Sequence, residues 1–447
     1  MSAYADRLEA LAAEAADRCT GCGKCFEVCP TAREIGLDAG EAKARVGELL
    51  ALTQDGGGAA DGLQKWLNAC DGSARCTDAC PEGINVRQWV TIAKMKALNA
   101  ARPREVGATN AAGRFRHMAQ AVRLLASMQL PSETLKKILE PAERRTAEIL
   151  FYTGCNVLRT PHIVLNVMDI LDAMQLDFDV VGGTAHCCGV YQFQEADLPT
   201  YERMGHRTFQ RFGQSGASKV LTWCPTCTKN FDELEKDVEE PFFDLGHISE
   251  FLAANLEALK ARFIDQPRRR VVIHEHLGIG ATVDSIRKLL SAVPNLELVE
   301  LVQDSGFSYA CGGQAAKFKG REQAIHRALA EGAVAAGADT IVTMYHSCHR
   351  ALAGAEAVYP SLRVVNFTDI LAEALGRGGH PDYYRLYKAG GAMDEAVAAA
   401  RTFLTGNGVR VDEASVQSLT ADIFDETGLA GSREAFAQAF TALAKEG

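Results

Sequence analysis

The chain has 447 residues, 47% of them apolar and 23% charged, with a formal net charge of −10. Its length suggests about three domains of ~150 residues each, with apolar content enough for several packed cores. The acidic balance without a basic run excludes a nucleic-acid footprint, and no run approaches ~18 uninterrupted apolar residues, which excludes a spanning helix.

In chain order, Met1 to Arg18 alternates Ala, Leu, Glu and Arg and reads as an amphipathic helix. No long apolar core follows a basic start, so it does not read as a signal peptide. Fourteen cysteines in such a chain point to a reducing cytosol, where thiols serve metals more often than disulfides. All fourteen fall into spaced groups. The first is Cys19-x2-Cys22-x2-Cys25-x3-Cys29-Pro30 and the second Cys70-x5-Cys76-x3-Cys80-Pro81. Cysteines at i, i+3 and i+6 wrap one face of a cubane, and the cysteine before proline swings to the other cluster. Gly21 and Gly23 let the backbone close around sulfide atoms. A zinc knuckle would instead require two Cys-x2-Cys pairs. Between the motifs the pattern predicts one helix from Ala32 to Gln54 and a Gly56-Gly57-Gly58 loop. Residues 101–147 read as a basic amphipathic linker, with Arg114, Arg116, Arg123, Lys136, Lys137, Arg144 and Arg145 flanking Leu124, Leu125, Leu130 and Leu139.

From Ile149 short apolar runs alternate with helical patterns. Strands are expected at Ile149–Tyr152, Phe178–Val181 and Lys219–Thr222, and helices at Ile163–Met174, Tyr201–Phe212 and from about Thr228, an order that argues for parallel strands. The series then repeats. Strands are expected at Val271–Ile273, Leu296–Leu301 and Thr340–Thr343, and helices at Asp284–Leu290 and Glu322–Ala336. Closing strands at Phe242–Asp244 and Val364–Asn366 complete two copies offset by about 120 residues. The first copy carries Cys155-x31-Cys187-Cys188-Gly189-x34-Cys224-x2-Cys227, all expected at the carboxyl ends of parallel strands, where ligands share one crevice. The fold class is thus α+β multidomain: an all-α ferredoxin-like unit (1–100), the helical linker (101–147), two α/β parallel-sheet repeats (148–262 and 263–376) and a helical C-terminal appendage (377–447).

These motifs resemble known iron–sulfur families. The Cys70 group, with Ser73 where a middle cysteine would stand, resembles the iron–sulfur subunit of succinate dehydrogenase and fumarate reductase. The five-cysteine pattern resembles the "CCG" domain of heterodisulfide reductase and the glycolate oxidase iron–sulfur subunit, families that also fuse two ferredoxin motifs to two CCG repeats. The resemblance covers residues 1 to about 376. It implies a 4Fe-4S cluster on Cys19, Cys22, Cys25 and Cys80, and a 3Fe-4S cluster on Cys29, Cys70 and Cys76. It further implies a noncubane CCG-type 4Fe-4S cluster on Cys155, Cys187, Cys188, Cys224 and Cys227. Two alternatives stay open: a four-iron cluster completed by Ser73 or Asp71 oxygen, and an ordinary cubane using four of the five CCG thiols.

The second repeat is altered, with Glu275, Ala310 and Tyr345 in place of thiolates. His274, His276, His346 and His349 are expected at the same strand ends as Cys311 and Cys348, a set suited to an additional single iron or zinc, to a 2Fe-2S centre of Rieske character, to proton delivery or substrate binding together with Glu275, or to a site that has decayed. No catalytic residue is singled out. The expected role is that of an iron–sulfur electron-transfer subunit in an oxidoreductase hetero-oligomer, relaying electrons between a flavoprotein dehydrogenase partner and a quinone or soluble carrier. The flavin is expected on that partner, since no Gly-x-Gly-x-x-Gly follows a strand here. A catalytic disulfide or thiol reductase and a scaffold with vestigial sites are the rival readings. The expected location is the cytoplasm, or a peripheral seat at the inner membrane face.

Overall fold

The computed structural model describes residues 3–139, 146–236, 243–276, 278–301, 321–389 and 393–410, with positions 412, 416, 417 and 420. The amino-terminal part is built from helices α1 (Ala3–Arg18), α2 (Lys24–Glu27), α3 (Pro30–Glu34), α4 (Ala42–Gln54), α5 (Asp61–Ala69), α6 (Arg75–Asp78) and α7 (Val86–Ala101). The single helix expected over Ala32–Gln54 is broken. Pro30 starts α3 early, Gly36 takes φ 74°, and a 3₁₀ turn at Ala39–Glu41 follows, with the Asp38 side chain accepting from the Gly40 amide.

Helices α8 (Arg104–Ser127) and α9 (Ser132–Leu139) lead to the first sheet. Arg116, Arg123, Lys136 and Lys137 are exposed, while Leu124, Leu125 and Leu130 are buried. Arg114 does not simply face solvent: it pairs with Glu195 at 2.7 Å. The expected positions Arg144 and Arg145 lie outside the described residues.

The first sheet comprises β1 (Ile149–Gly154), β2 (Phe178–Gly182), β3 (Lys219–Thr222) and β4 (Asp244–His247) in the order β2-β1-β3-β4. All of its pairings are parallel. Its helices are α10 (Pro161–Ala173), α11 (Val190–Gln194), α12 (Leu198–Gln214), α13 (Pro225–Glu235), α14 (Ile248–Ala254) and α15 (Leu256–Lys260). The second sheet repeats the plan with β5 (Arg269–His274), β6 (Leu296–Leu298), β7 (Thr340–Thr343) and β8 (Arg363–Asn366), in the order β6-β5-β7-β8 and again all parallel. Its helices are α16 (Gly280–Ser291), α17 (Arg321–Ala335), α18 (His346–Leu352), α19 (Ala355–Val358) and α20 (Phe367–Ala374). Several expected bounds shift by a few residues. The strand expected to run to Leu301 ends at Leu298. The first closing strand begins at Asp244, and the expected start at Phe242 lies outside the described residues. Helix α13 starts at Pro225, because proline is preorganised for the first helical position.

The two sheets are joined through their helices. Helix α10, the first of its repeat, packs on α20, the last of the other; α14, near the end of the first repeat, packs on α16, which opens the second. This reciprocal pairing is what a two-fold relation between like units produces. One apolar core runs through the seam, from Phe151, Val180 and Leu221 of the first sheet to Ile273, Val342 and Val365 of the second. The other face of the first sheet (Leu150, Tyr152, Val181, Val220) shares a core with Tyr4, Leu8, Phe26 and Trp66 of the amino-terminal helices. Helices α21 (Tyr383–Lys388) and α22 (Met393–Gly406) of the C-terminal segment bury Tyr384, Ala400 and Leu404 against Leu124 and Leu125 of α8.

Candidate metal centres

The two amino-terminal motifs fold alike. Gly21 and Gly72 take φ 69° and 84°, and Gly23 and Ala74 take φ 86° and 61°. Helices α2 and α6 then begin one residue later. Cys22 and Ser73 therefore occupy matching positions between two left-handed residues, although Ala pays a steric cost there that Gly does not. Cys19, Cys22, Cys25 and Cys80 line one cavity together with Val46, Ile84 and Trp89. The Cys25 thiol is pushed up to about 12, first by burial and then by its neighbours Cys19 and Cys22. Cys29, Cys70 and Cys76 form the second group: burial and then Cys70 and Cys29 push the Cys76 thiol up. Thiols crowded with so little opposing charge are poor anions on their own and suitable ligands once iron neutralises them, so the donor sets fit iron–sulfur clusters. Trp66 Nε1 donates to Cys29 Sγ at 3.4 Å. Trp66→Phe removes that donor, and with it about 1 kcal/mol favouring the more negative reduced state; a fall of roughly 40 mV in the potential of the adjoining centre is expected in an anaerobic redox titration.

The five CCG cysteines meet at the carboxyl ends of the first sheet. Gly154 closes β1 at φ 76°, and a Cβ there would lie 3.6 Å from Cys227 Sγ and 3.8 Å from Cys224 Cβ. Cys155 follows it. Cys187 and Cys188 stand between β2 and α11, Cys224 is the N-cap of α13, and Cys227 lies in that helix's first turn. Cys227 Sγ is 3.6 Å from Cys188 Sγ, and the Gly189 amide donates to Cys187 Sγ at 3.4 Å. The Cys187 thiol is held well below the ordinary range by hydrogen bonds from Cys155 and then Cys188. That of Cys224 is pulled down to about 7, first by Cys227. The five sulfurs thus form one connected group, aided by the start of α13, whose free amides favour an anion. Tyr152 Oη donates to the His186 carbonyl at 2.5 Å and reaches Cys227 Sγ at 4.0 Å. Asn230 Nδ2 lies 3.8 Å from Cys188 Sγ. Lys229, on the same helix, is pulled down to about 8, first by burial and then by Arg87, and also feels Cys70 of the amino-terminal unit.

The second repeat departs from expectation in detail. His274, His276 and Cys348 bring their donor atoms within 4.8 Å of one another, and His276 Nε2 lies 2.7 Å from Cys348 Sγ. His346 is buried beside them, its ring pulled down to about 3 first by burial and then by Arg350, but it is not in that trio. His349 does not join the site at all: its Nε2 lies 2.5 Å from Asp382 Oδ2 and its Nδ1 3.4 Å from Thr343 Oγ1. The reason is helical geometry. Cys348 and His349 are adjacent on α18, so their side chains diverge by about a quarter turn. Glu275 pairs with Arg287, which also binds Glu300, and so it stands apart from the trio. Cys311 lies outside the described residues. The trio adjoins the Cys70–Cys76 loop: a Cβ on Gly278 would meet the Gly72 carbonyl at 2.6 Å, and Arg87 Nη1 donates to the Gly278 carbonyl at 3.0 Å.

Sequence reasoning missed Lys229, Asn230 and Asp382, and read Tyr345 only as a residue in place of a thiolate. Tyr345 stands where the alignment of the repeats puts Cys224, and its hydroxyl environment includes Cys224, Thr226 and Cys348. That alignment could have marked it as facing the first repeat's site. Asp382 carries no motif.

Comparison with known families agrees with this geometry. A 4Fe-4S dicluster domain matches residues 15–84, and a cysteine-rich domain matches residues 149–232 and again 277–353. The chain is similar to one of the subunits of the fumarate reductase (CoM/CoB) of Methanothermobacter marburgensis, 26% identical over 306 residues, 66% of this chain and 59% of that protein. It is also similar to an uncharacterized iron–sulfur protein of Methanocaldococcus jannaschii, 25% identical over 63% of this chain and 57% of that one. The chain thus matches less than two thirds of the length of either relative. No helix among the described residues is long and apolar enough to cross a membrane.

Proposed function

We infer, from a chain that joins a 4Fe-4S dicluster domain to two cysteine-rich CCG domains and is related to heterodisulfide-reductase-type iron–sulfur subunits, that it relays electrons between a flavoprotein partner and an acceptor. The observation that carries this reading is the shared core of the amino-terminal helices and the first sheet. Cys25, Cys188 and Cys227 are buried within it, and Cys19, Cys29, Cys70, Cys76, Cys80 and Cys224 pack against it. The amino-terminal and CCG cysteine groups thus adjoin one apolar core. Bound clusters would supply one-electron storage at each group. The chain's own part is to hold the thiolates, exclude water from Cys187, Cys188 and Cys227, and set local charge through Lys229 and the start of α13.

Cys19, Cys22, Cys25 and Cys80 would hold a 4Fe-4S cluster, Cys29, Cys70 and Cys76 a 3Fe-4S cluster, and the five CCG cysteines the third centre. The complex isolated anaerobically from its native host tests the relay. Expected is acid-releasable flavin on a second chain, whose reduction by substrate bleaches the cluster absorption; a complex without flavin sinks the reading.

A second reading is a disulfide or thiol reductase in which this chain handles the disulfide or its thiols; one relative is a subunit of a reductase, the fumarate reductase (CoM/CoB). Disulfide turnover by the isolated chain with a reduced dye would favour it. His274, His276 and Cys348 offer two nitrogens and a sulfur, a set suited to a single iron or zinc. Cys348→Ala is expected to remove one metal equivalent by elemental analysis while leaving the cluster absorption unchanged.

A further inference from the structure

A second buried group of metal-binding side chains includes none of the cysteines that the clusters would use. His162 lies in the first turn of α10 in the first repeat, His349 sits on α18 in the second, and Asp382 caps α21 of the C-terminal segment. Their donor atoms lie within 4.8 Å of one another. His349 Nε2 is 2.5 Å and His162 Nε2 3.8 Å from the same oxygen, Asp382 Oδ2. His162 is only 2% exposed, yet neither of its ring nitrogens has a hydrogen-bond partner. Leaving a buried imidazole without a partner is unfavourable. A hydrogen bond between His349 and Asp382 leaves that deficit in place; a cation seated between the three heads removes it.

We propose that His162, His349 and Asp382 bind one zinc ion, which ties the C-terminal segment across the seam between the two repeats. Two neutral imidazoles and a carboxylate make a nitrogen–oxygen set that zinc accepts, with water at the open position. The ligands are already oriented. Thr343 Oγ1 lies 3.4 Å from His349 Nδ1, and Asp382 Oδ1 accepts from the Arg385 amide at 3.1 Å, which leaves Oδ2 for the metal. Asp369 supplies further negative charge nearby, held in place by Asn166 Nδ2 at 2.6 Å. The site draws one ligand from each repeat and one from the terminal segment, so a metal there would fix how all three pack.

The test uses the full chain with its clusters, purified anaerobically, exposed to zinc sulfate and gel-filtered. To keep sulfur ligation at the neighbouring trio out of the signal, Cys348→Ser protein is measured beside the unaltered chain. Cys348→Ser protein should hold about one zinc, with zinc-edge X-ray absorption showing only nitrogen and oxygen at about 2.0–2.2 Å and no sulfur near about 2.3 Å. In the same background His162→Gln and Asp382→Asn should each weaken zinc retention at least about tenfold. The proposal is overturned if Cys348→Ser protein holds no zinc, if its zinc has sulfur neighbours, or if both substitutions leave its zinc unchanged. His274→Gln in the same Cys348→Ser background should leave the zinc in place, which assigns it to His162, His349 and Asp382 even should the other two variants fold poorly; its loss there overturns the proposal.

Discussion

Cys187→Ala/Cys227→Ala protein, purified without oxygen, is expected to lose about four of its irons and all electron delivery to an acceptor, while the amino-terminal centres stay reducible by dithionite. Two substitutions are needed because an ordinary cubane requires four thiolates and this site has five. Removing only Cys188 would leave four thiolates, enough for an ordinary cubane, whereas Cys155, Cys188 and Cys224 alone leave one iron without a thiolate and the cluster open to loss. Cys227 is the choice on α13 because its thiol faces both Cys188 and Cys224. Cys187 is the choice on the β2–α11 loop because it takes hydrogen bonds from Cys155, Cys188 and the Gly189 amide. The cost to folding should be modest, about 1–3 kcal/mol for two buried thiols. Iron content with electron paramagnetic resonance checks the result. Iron unchanged in the double variant would mean that the five sulfurs hold no cluster.

Ser73→Cys is expected to turn the proposed three-iron centre into a four-iron one, abolishing the paramagnetic signal of the oxidised 3Fe-4S state and adding about one iron per chain. The backbone makes this change local. Ser73 already lies between residues at φ 84° and 61°, as Cys22 lies between residues at 69° and 86°, each just before a short helix. A thiol at Ser73 therefore needs no main-chain movement to take the role that Cys22 plays. Should the unaltered protein give no three-iron signal, Ser73 or Asp71 oxygen completes a four-iron cluster instead, and the substitution would leave the iron count as it was.

The parallel strands were legible because buried apolar runs of four or five residues alternate with amphipathic helices, and because the pattern occurs twice. Helix α13 began earlier than expected since Pro225 sets its first turn, and the long helix after Cys29 broke at Gly36. Both are local backbone effects that apolar periodicity does not register. The grouping of the histidines was misjudged for a different reason. Four of them fall within short reach along the chain, but His349 turns from Cys348 toward Asp382, a residue of the terminal segment with no motif around it.

The sequence alone determined the local cysteine motifs, Cys19 to Cys29, Cys70 to Cys80, Cys187-Cys188 and Cys224-x2-Cys227, since a ligand spacing of a few residues is enforced by covalent geometry wherever the chain is placed. It also determined that the second repeat had lost three of its five thiolates. Only the tertiary structure decided that α10 packs on α20 and α14 on α16, which sets the altered site beside the Cys70–Cys76 loop and brings His162 to His349 and Asp382. Those meetings depend on how apolar helix faces from distant segments fit one another, and shape complementarity across a seam leaves no periodic trace along a single chain.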